Sequence, residues 1–484
     1  MAQCKIKYKI LNWKHIPMEI FRKKRIDFPE DKTKSLIRCL STLDLTLLGI
    51  GAIVGAGIFV ITGVVAATET GPGIVYSYII AGLACMFSAL SYAELASSIG
   101  GCGSAYGYAY AGFGEVIAWI VGWDLLLEYS ISMAAVAVGW SSYFNDLLLT
   151  LKIHVPNLLL QGPVMGGVVN IFALIIVCLL GLLLICGVKS SARANNIIVG
   201  VKLSVILLFI VIASNHVEAS NWVPFMPFGW AGIVKGASLI FFAYIGFDAV
   251  STTAEEVLDP QRSLPIGIIG SLLIATMLYI VVSGLLTGIV SYKALNVAAP
   301  ISQALIMIGH KTAAGIIGVG AVAGLGTVML VLFYGLSRIF FAMARDGLLP
   351  GYFAVLHERT KTPARIIVLC AVLIAFTASF FPIDDLAELV NIGTLFAFTM
   401  VCGGVLILRH TQPDLARPFK TPASPYFPIL GMLSCLYLIV NLPWLTILRF
   451  IVWFIIGMVI YFAFSRKHSV LNLKNCNGHQ HEHV

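Results

Sequence analysis

The chain has 484 residues, 59% of them hydrophobic and 11% charged, with a mean hydropathy of +0.94 and a formal net charge of +8. A water-soluble globular protein of this length cannot carry that composition on its surface, so the chain is read as an all-α integral membrane protein. Its positive charge then reports topology and not nucleic-acid binding.

Residues 1–40 carry KIKYK, FRKKR and KTK and no apolar run before Leu43, so no cleavable signal peptide is expected and the first span is its own insertion signal. Twelve apolar windows follow between Leu43 and Phe464, centred near Gly55, Cys85, Ser130, Val177, Ser204, Gly246, Tyr279, Leu330, Ala371, Phe398, Leu433 and Phe454. Each is long enough, at roughly 20 residues, for about 30 Å of hydrocarbon.

Span 1 opens with STLD, in which Ser41 and Asp44 have capping-box spacing, and it is expected to end near Gly63. Inside it, GIGAIVGAGIF places Gly49, Gly51, Gly55 and Gly57 where each costs a helix roughly 0.5 to 1 kcal/mol relative to alanine. Gly51 and Gly55 also form a GxxxG pair, the signature of a close helix-packing face. A dinucleotide-binding reading of the glycines fails, because no strand, crossover or downstream acidic residue accompanies them.

Between spans 2 and 3, GGCGSAY at 100–106 is small and flexible enough for a re-entrant or gating loop. Asp124 and Glu128 in span 3 share one helix face far from either end; Glu128 is the stronger candidate for a pocket wall, a proton-pathway member or a structural hydrogen bond. Lys202 in span 5 lies nine residues beyond Arg193, about 13 Å along a helix, too deep to snorkel. A lysine buried there is costly unless paired, and it can either load and release a proton or serve as a charged structural anchor. Span 6 reads LIFFAYIGFDAVSTTAEE, with Gly246 beside Asp248, which is placed to cap a second half-helix. Glu94, Glu255 and Glu256 sit near cytoplasmic ends, where Arg338 and Arg345 also lie, and read as gate ion pairs.

The basic residues after span 1, from Lys189 and Arg193 through Arg338, Arg345, Arg359, Lys361 and Arg365 to Arg409, Arg417, Lys420, Arg466 and Lys467, fall on one side of a twelve-span chain. The other side carries little beyond Lys152, Lys293 and Lys311. The positive-inside rule therefore puts both termini in the cytoplasm. The ten cysteines show no CxxC pair or zinc spacing and read as packing residues, while His479, His481 and His483 in the tail alternate too loosely to carry a metal reading. No HExxH, GxSxG or aspartate pair points to an intramembrane enzyme, and no cofactor is expected.

The interruptions of spans 1 and 6 lie five spans apart. A repeat of five spans inserts in the opposite sense to its predecessor, which is the inverted-repeat arrangement of secondary transporters. Half-helix ends then meet at the midplane, where freed amides attract a carboxylate and freed carbonyls an ammonium group. A channel would need a polar midplane but not two matched interruptions.

The stretches GIGAIVGAGIFVITG at 49–63, SYAELAS at 91–97, FFAYIGFDAVSTTAEE at 241–256, RIFFAMARDGLLP at 338–350 and NIGTLFAFTMVCGGVLILRHTQPDLARPFKTP at 391–422 resemble the amino acid, polyamine and organocation superfamily. Within it they resemble the cationic amino acid transporter family, including its bacterial twelve-span members. The resemblance implies twelve transmembrane helices: a 5+5 inverted-repeat (LeuT-like) core with discontinuous helices 1 and 6, plus two extra helices. The segments would be 1–40 cytoplasmic, 41–215 and 216–410 the two repeats, 411–465 helices 11 and 12, and 466–484 a cytoplasmic tail. It implies alternating access around a site between spans 1, 3, 6 and 8. The substrate carboxylate would meet amides around Gly55, Ala56 and Gly57, and its ammonium the carbonyls near Ile53, Phe242, Ala243 and Ile245. Lys202 matches a lysine that stands, in related bacterial carriers, where sodium binds in sodium-coupled relatives. The expected activity is proton-coupled, sodium-independent symport of L-amino acids, cationic such as lysine and arginine or small neutral such as alanine, with exchange of amino acids or polyamines as the alternative. The expected setting is the plasma (inner) membrane, with protons and lipid as partners and a monomer or weak oligomer as the assembly.

Overall fold

The structure, a computed structural model, describes residue 22 and residues 40–99, 104–150, 152–186, 192–297, 299–357, 360 and 362–472. The tail histidines, most of the basic N-terminal runs, residues 100–103 of the glycine-rich segment and the side chains of Arg193, Glu255 and Glu256 lie outside the described residues.

Helix α1 (Thr42–Ile53) starts at a complete capping box: the Ser41 hydroxyl accepts from Asp44 N, and Asp44 Oδ2 accepts from Ser41 N at 2.9 Å. After an extended Val54, helical backbone resumes and passes through π-helical Gly57–Ile61, Thr62–Val65 and π-helical Ala66–Thr70. The sequence suggested an end near Gly63, but that glycine is packed on Pro300 inside the helix, and the run ends only where Gly71 takes φ +63° ahead of Pro72. Helices α2 (Ile74–Ile99), α3 (Ser104–Gly112), α4 (Glu115–Thr150), α5 (Ile171–Ile185) and α6 (Ala192–Ser214) follow.

Helix α7 (Gly229–Ile240) tightens into a 3-10 turn at Phe241–Tyr244, breaks at Ile245 and Gly246, and continues as 3-10 helix over Phe247–Glu256. Then come α8 (Pro260–Ile289), α9 (Pro300–Met307), α10 (Lys311–Arg345), α11 (Ala364–Phe380), α12 (Ile383–Thr411), α13 (Tyr426–Val440) and α14 (Trp444–Ile460). Among the described residues, eight helical runs are long and apolar enough to cross a bilayer, and α5, α11 and α13 are shorter apolar helices. One of the eight, Thr42–Ile99, is 58 residues long and contains both the Val54 interruption and the Gly71 turn.

Helix α4 is the central post, packed against α10 and α12, while α8 packs against α1 and α2. Burial sorts the bundle: α14 contributes only Thr446 and Gly457 to the interior, and its Leu445, Val452, Ile455 and Val459 face outward, as lipid contact requires. It is fastened to α4 through stacked Trp123 and Trp453 and through Trp119 Nε1, which donates to Gly457 O at 2.9 Å. At the start of the chain, Leu40 bridges to Val257, tying the entry of the first interrupted segment to the exit of the second.

Candidate substrate site at two helix interruptions

Interrupting a helix inside hydrocarbon leaves backbone groups that must find partners within the protein. Around Val54 the carbonyls find side chains from other helices. Lys202 of α6, fully buried, donates Nζ to Gly51 O at 2.9 Å and to Val54 O at 2.7 Å. The Tyr279 hydroxyl of α8 lies 2.8 Å from Ile53 O and 2.6 Å from Ala243 O, and its single proton can serve only one of them at a time. Beyond the break, Thr62 Oγ1 donates to Gly57 O at 2.9 Å and Tyr143 of α4 to Phe59 O at 2.7 Å.

The amides are treated differently. Phe59 N donates to Gly55 O at 3.3 Å, which makes Gly55 the cap of the resumed helix. Helix geometry then leaves the amides of Ala56, Gly57 and Ile58 without intrahelical acceptors. They form the electropositive start of a half-helix, while the Ile53 and Ala243 carbonyls stand at the ends of the two preceding half-helices. Ile53, Gly55, Ala56, Gly57, Phe242, Ala243 and Ile245, named from sequence, thus come together at the crossing of the two interrupted segments, all of them buried.

Their glycines also have a packing duty. A Cβ on Gly57 would run into Cα and Cβ of Ala243, so the two interrupted segments touch backbone to backbone there. Gly51 and Gly55 do not share one packing partner, as a GxxxG face would: Gly51 meets Val199 of α6 and Gly55 meets Val328 of α10. Gly246 is required by conformation, with φ +118°, and its hydrogen side faces the Ala52 backbone.

Asp248 closes the second interruption. Its Oδ1 accepts from Gly246 N at 3.3 Å and its Oδ2 from the Tyr129 hydroxyl at 2.7 Å. Glu128 stands next to Tyr129 in α4 and one helical turn from Asp124. The carboxyls of Asp124 and Glu128 have no hydrogen-bond partner among the described residues; Thr394 stands beside Glu128, but its hydroxyl is committed to Val390 O at 3.1 Å. Both acids face Gly393 of α12. Level with the glycine break, α4 instead presents Gly139, whose Cβ position is 3.6 Å from Ala56 Cβ. Eleven residues, about 16 Å of helix, separate Gly139 from Glu128.

Glu94 makes its ion pairs with Arg409 at 2.6 Å and Arg417 at 3.5 Å, and also accepts from Thr421 N at 2.8 Å. Arg338, which the sequence places at the same end together with Arg345, lies over the Tyr334 ring at 3.8 Å. What sequence reading missed altogether is the tyrosine set, Tyr279, Tyr129 and Tyr143, whose hydroxyls close the interruptions from α8 and α4. A tyrosine in an apolar span signals packing, and only its partner carbonyl reveals more.

Residues 40–465 match the amino acid permease family. The chain belongs to this family. It is 50% identical over 461 residues to the branched-chain amino acid permease BcaP of Bacillus subtilis (strain 168), covering 94% of this chain and 99% of that one. It is 49% identical over 457 residues to a methylthioribose transporter of the same organism, again covering 94% and 99%. A vacuolar cationic amino acid transporter 4 of Arabidopsis thaliana is 39% identical over 409 residues, 82% of this chain and 68% of that one. These relatives are named as permeases and transporters, so the chain is a multi-pass membrane transporter and not an enzyme.

Proposed function

We propose that the chain carries neutral aliphatic L-amino acids, branched-chain ones foremost, by proton-coupled, sodium-independent symport with alternating access. The observation that carries this is the crossing of the two interruptions, where donors at Ala56, Gly57 and Ile58 and acceptors at Ile53 and Ala243 offer a zwitterion both of its complements. The wall at that level is Val328, Ala56 and Gly139, which suits an aliphatic side chain and offers no carboxylate to a lysine or arginine. Likeness to the branched-chain permease agrees with this choice over the cationic one.

Lys202 supplies the coupling. Its ammonium holds α6 to the end of α1 as a bound cation would, and loss of its proton removes the charge and weakens its bonds to both carbonyls at once. The Asp124, Glu128 and Asp248 carboxyls, the first two without a hydrogen-bond partner among the described residues, offer the proton its next resting place. Two repeats, 41–215 and 216–410, account for the matching interruptions in α1 and α7. Twelve crossings result when the 58-residue run is divided at Gly71 and α5, α11 and α13 are counted as spans. The basic connectors support cytoplasmic termini in a plasma (inner) membrane.

A methylthioribose reading has nearly equal sequence identity behind it, 49% against 50%, yet a thioether sugar has neither ammonium nor carboxylate and would leave both backbone arrays without their complements. Uptake of labelled leucine into proteoliposomes, with isoleucine, valine, alanine, lysine, arginine and methylthioribose as competitors, decides among these. Isoleucine and valine should compete best, and sodium at fixed pH and membrane potential should have no effect. Competition by lysine alone, or by methylthioribose alone, rejects the proposal. In the same assay Glu128→Gln should alter the pH profile and leave the order of competitors unchanged; a selective loss of lysine uptake would return Glu128 to the pocket wall.

A further inference from the structure

Helices α6 and α10 form an antiparallel seam. Lys202 meets Gly324, where a Cβ would lie 2.6 Å from Lys202 Cε, and Val205 meets Gly320. Two residues past the end of α6 and immediately before the start of α10, fourteen residues in sequence from Lys202 and from Gly324, His216 comes against His310. Their Nε2 atoms are 3.2 Å apart, with the rings edge-on at 81° and centroids 4.8 Å apart. The pair lies at the end of α10 opposite Arg345 and has no part in the site described above.

The tautomers can be assigned. His216 Nδ1 lies 2.9 Å from Ile212 O, and a carbonyl only accepts, so His216 carries its proton on Nδ1 and presents a lone pair at Nε2. An imidazole whose Nδ1–H is anchored on a backbone carbonyl is oriented as metal-bound histidines are. His310 is held by its main chain: Gly309 at φ +87° ends α9, His310 N donates to Leu305 O at 2.8 Å, and α10 begins at the next residue. In the metal-free pair His310 donates from Nε2; moving that proton to Nδ1 frees a second lone pair. Two nitrogens about 2.0 to 2.1 Å from one tetrahedral ion stand roughly 3.3 Å apart, which is the separation already present.

We propose that His216 and His310 form a binding site for a borderline transition-metal dication, Zn2+ or Cu2+, bridging the far end of the seam that carries Lys202. Both imidazoles ligate through Nε2, and the ion replaces the shared proton. Among the described residues no third histidine, cysteine or acid joins the pair, so water completes the coordination. The bridge clamps α6 to α10 and so slows any transport step in which the two ends separate.

The test uses the full chain with His479, His481 and His483 replaced by glutamine, so that the tail cannot bind metal. Zn2+ and Cu2+ are titrated against a chromogenic chelator in detergent, and thermal unfolding is followed with and without Zn2+. One ion per chain is expected, Cu2+ tighter than Zn2+, with affinity falling about tenfold or more in His216→Ala and in His310→Ala. Zn2+ should raise the unfolding midpoint of the parent and of neither variant. His216→Asn and His310→Asn, which keep a polar side chain, serve where an alanine variant does not fold. Binding that survives both substitutions belongs to other side chains and overturns the proposal, as does a parent that binds no metal.

Discussion

At Val54 the exposed carbonyls are covered by side chains reaching in from α6, α8 and α4, whereas at Gly246 the chain closes its own break with a left-handed glycine and an aspartate two residues on. The first interruption is therefore adjustable from outside. Its integrity depends on a lysine proton and on hydroxyls that can turn away. The second is fixed mainly by local backbone, with Tyr129 bonded to its aspartate and Tyr279 reaching Ala243 O from outside. A carrier needs both kinds: one element that a coupled ion can loosen and another that holds the binding backbone in place while it does.

The largest effect on that contrast comes from Gly246→Ala. A side chain at φ +118° costs about 1–3 kcal/mol of strain, and the new Cβ would also lie 2.9–3.0 Å from the Ala52 backbone. Uptake should be abolished and the thermal midpoint of the purified carrier lowered. Wild-type uptake would show that the second break does not depend on its glycine.

Lys202→Met should follow. It leaves Gly51 O and Val54 O buried without a donor, at about 1–3 kcal/mol each, while keeping most of the stem that packs on Gly324. Accumulation driven by an inward proton gradient should be lost, with counterflow of labelled substrate retained. Accumulation with unchanged pH dependence would remove Lys202 from the coupling mechanism.

Asp248→Asn removes the charge from the contact that Tyr129→Phe deletes, so their effects on substrate affinity should not add. Each single change is expected to cost about 1 kcal/mol, roughly fivefold in affinity, and the double change little more. Additive losses would mean that Asp248 serves the site through something other than Tyr129.

The two interruptions were readable from the sequence because glycines in an apolar span break a strong expectation, and Lys202 was readable because a charge at that depth needs a partner. The capping box at Ser41 and Asp44 is local in sequence and was equally plain. Glu94 shows the limit: its cytoplasmic position was legible, but Arg409 and Arg417 lie more than three hundred residues away, and only packing brings them there. The dual role of Gly57 was hidden for the same reason, since nothing in its own segment reveals that Ala243 lies against it.

The smallest effect belongs to Tyr279→Phe, and it tests a hydroxyl that bonds to carbonyls of both interruptions. The hydroxyl shares a single proton between Ile53 O and Ala243 O, the same carbonyls proposed to receive the substrate ammonium. In the empty carrier it keeps them partly satisfied and pointing at one another; with substrate bound, the ammonium supplies the donors and the hydroxyl becomes one more oxygen beside a cation. Removing it leaves the ring packed against Tyr78 and Tyr244, so folding should persist. The loss of one neutral hydrogen bond is worth about 1 kcal/mol, so KM for leucine should rise about fivefold with kcat nearly unchanged. A drop in kcat at constant KM would place Tyr279 in the conformational step instead, as the link through which the adjustable interruption moves against the fixed one.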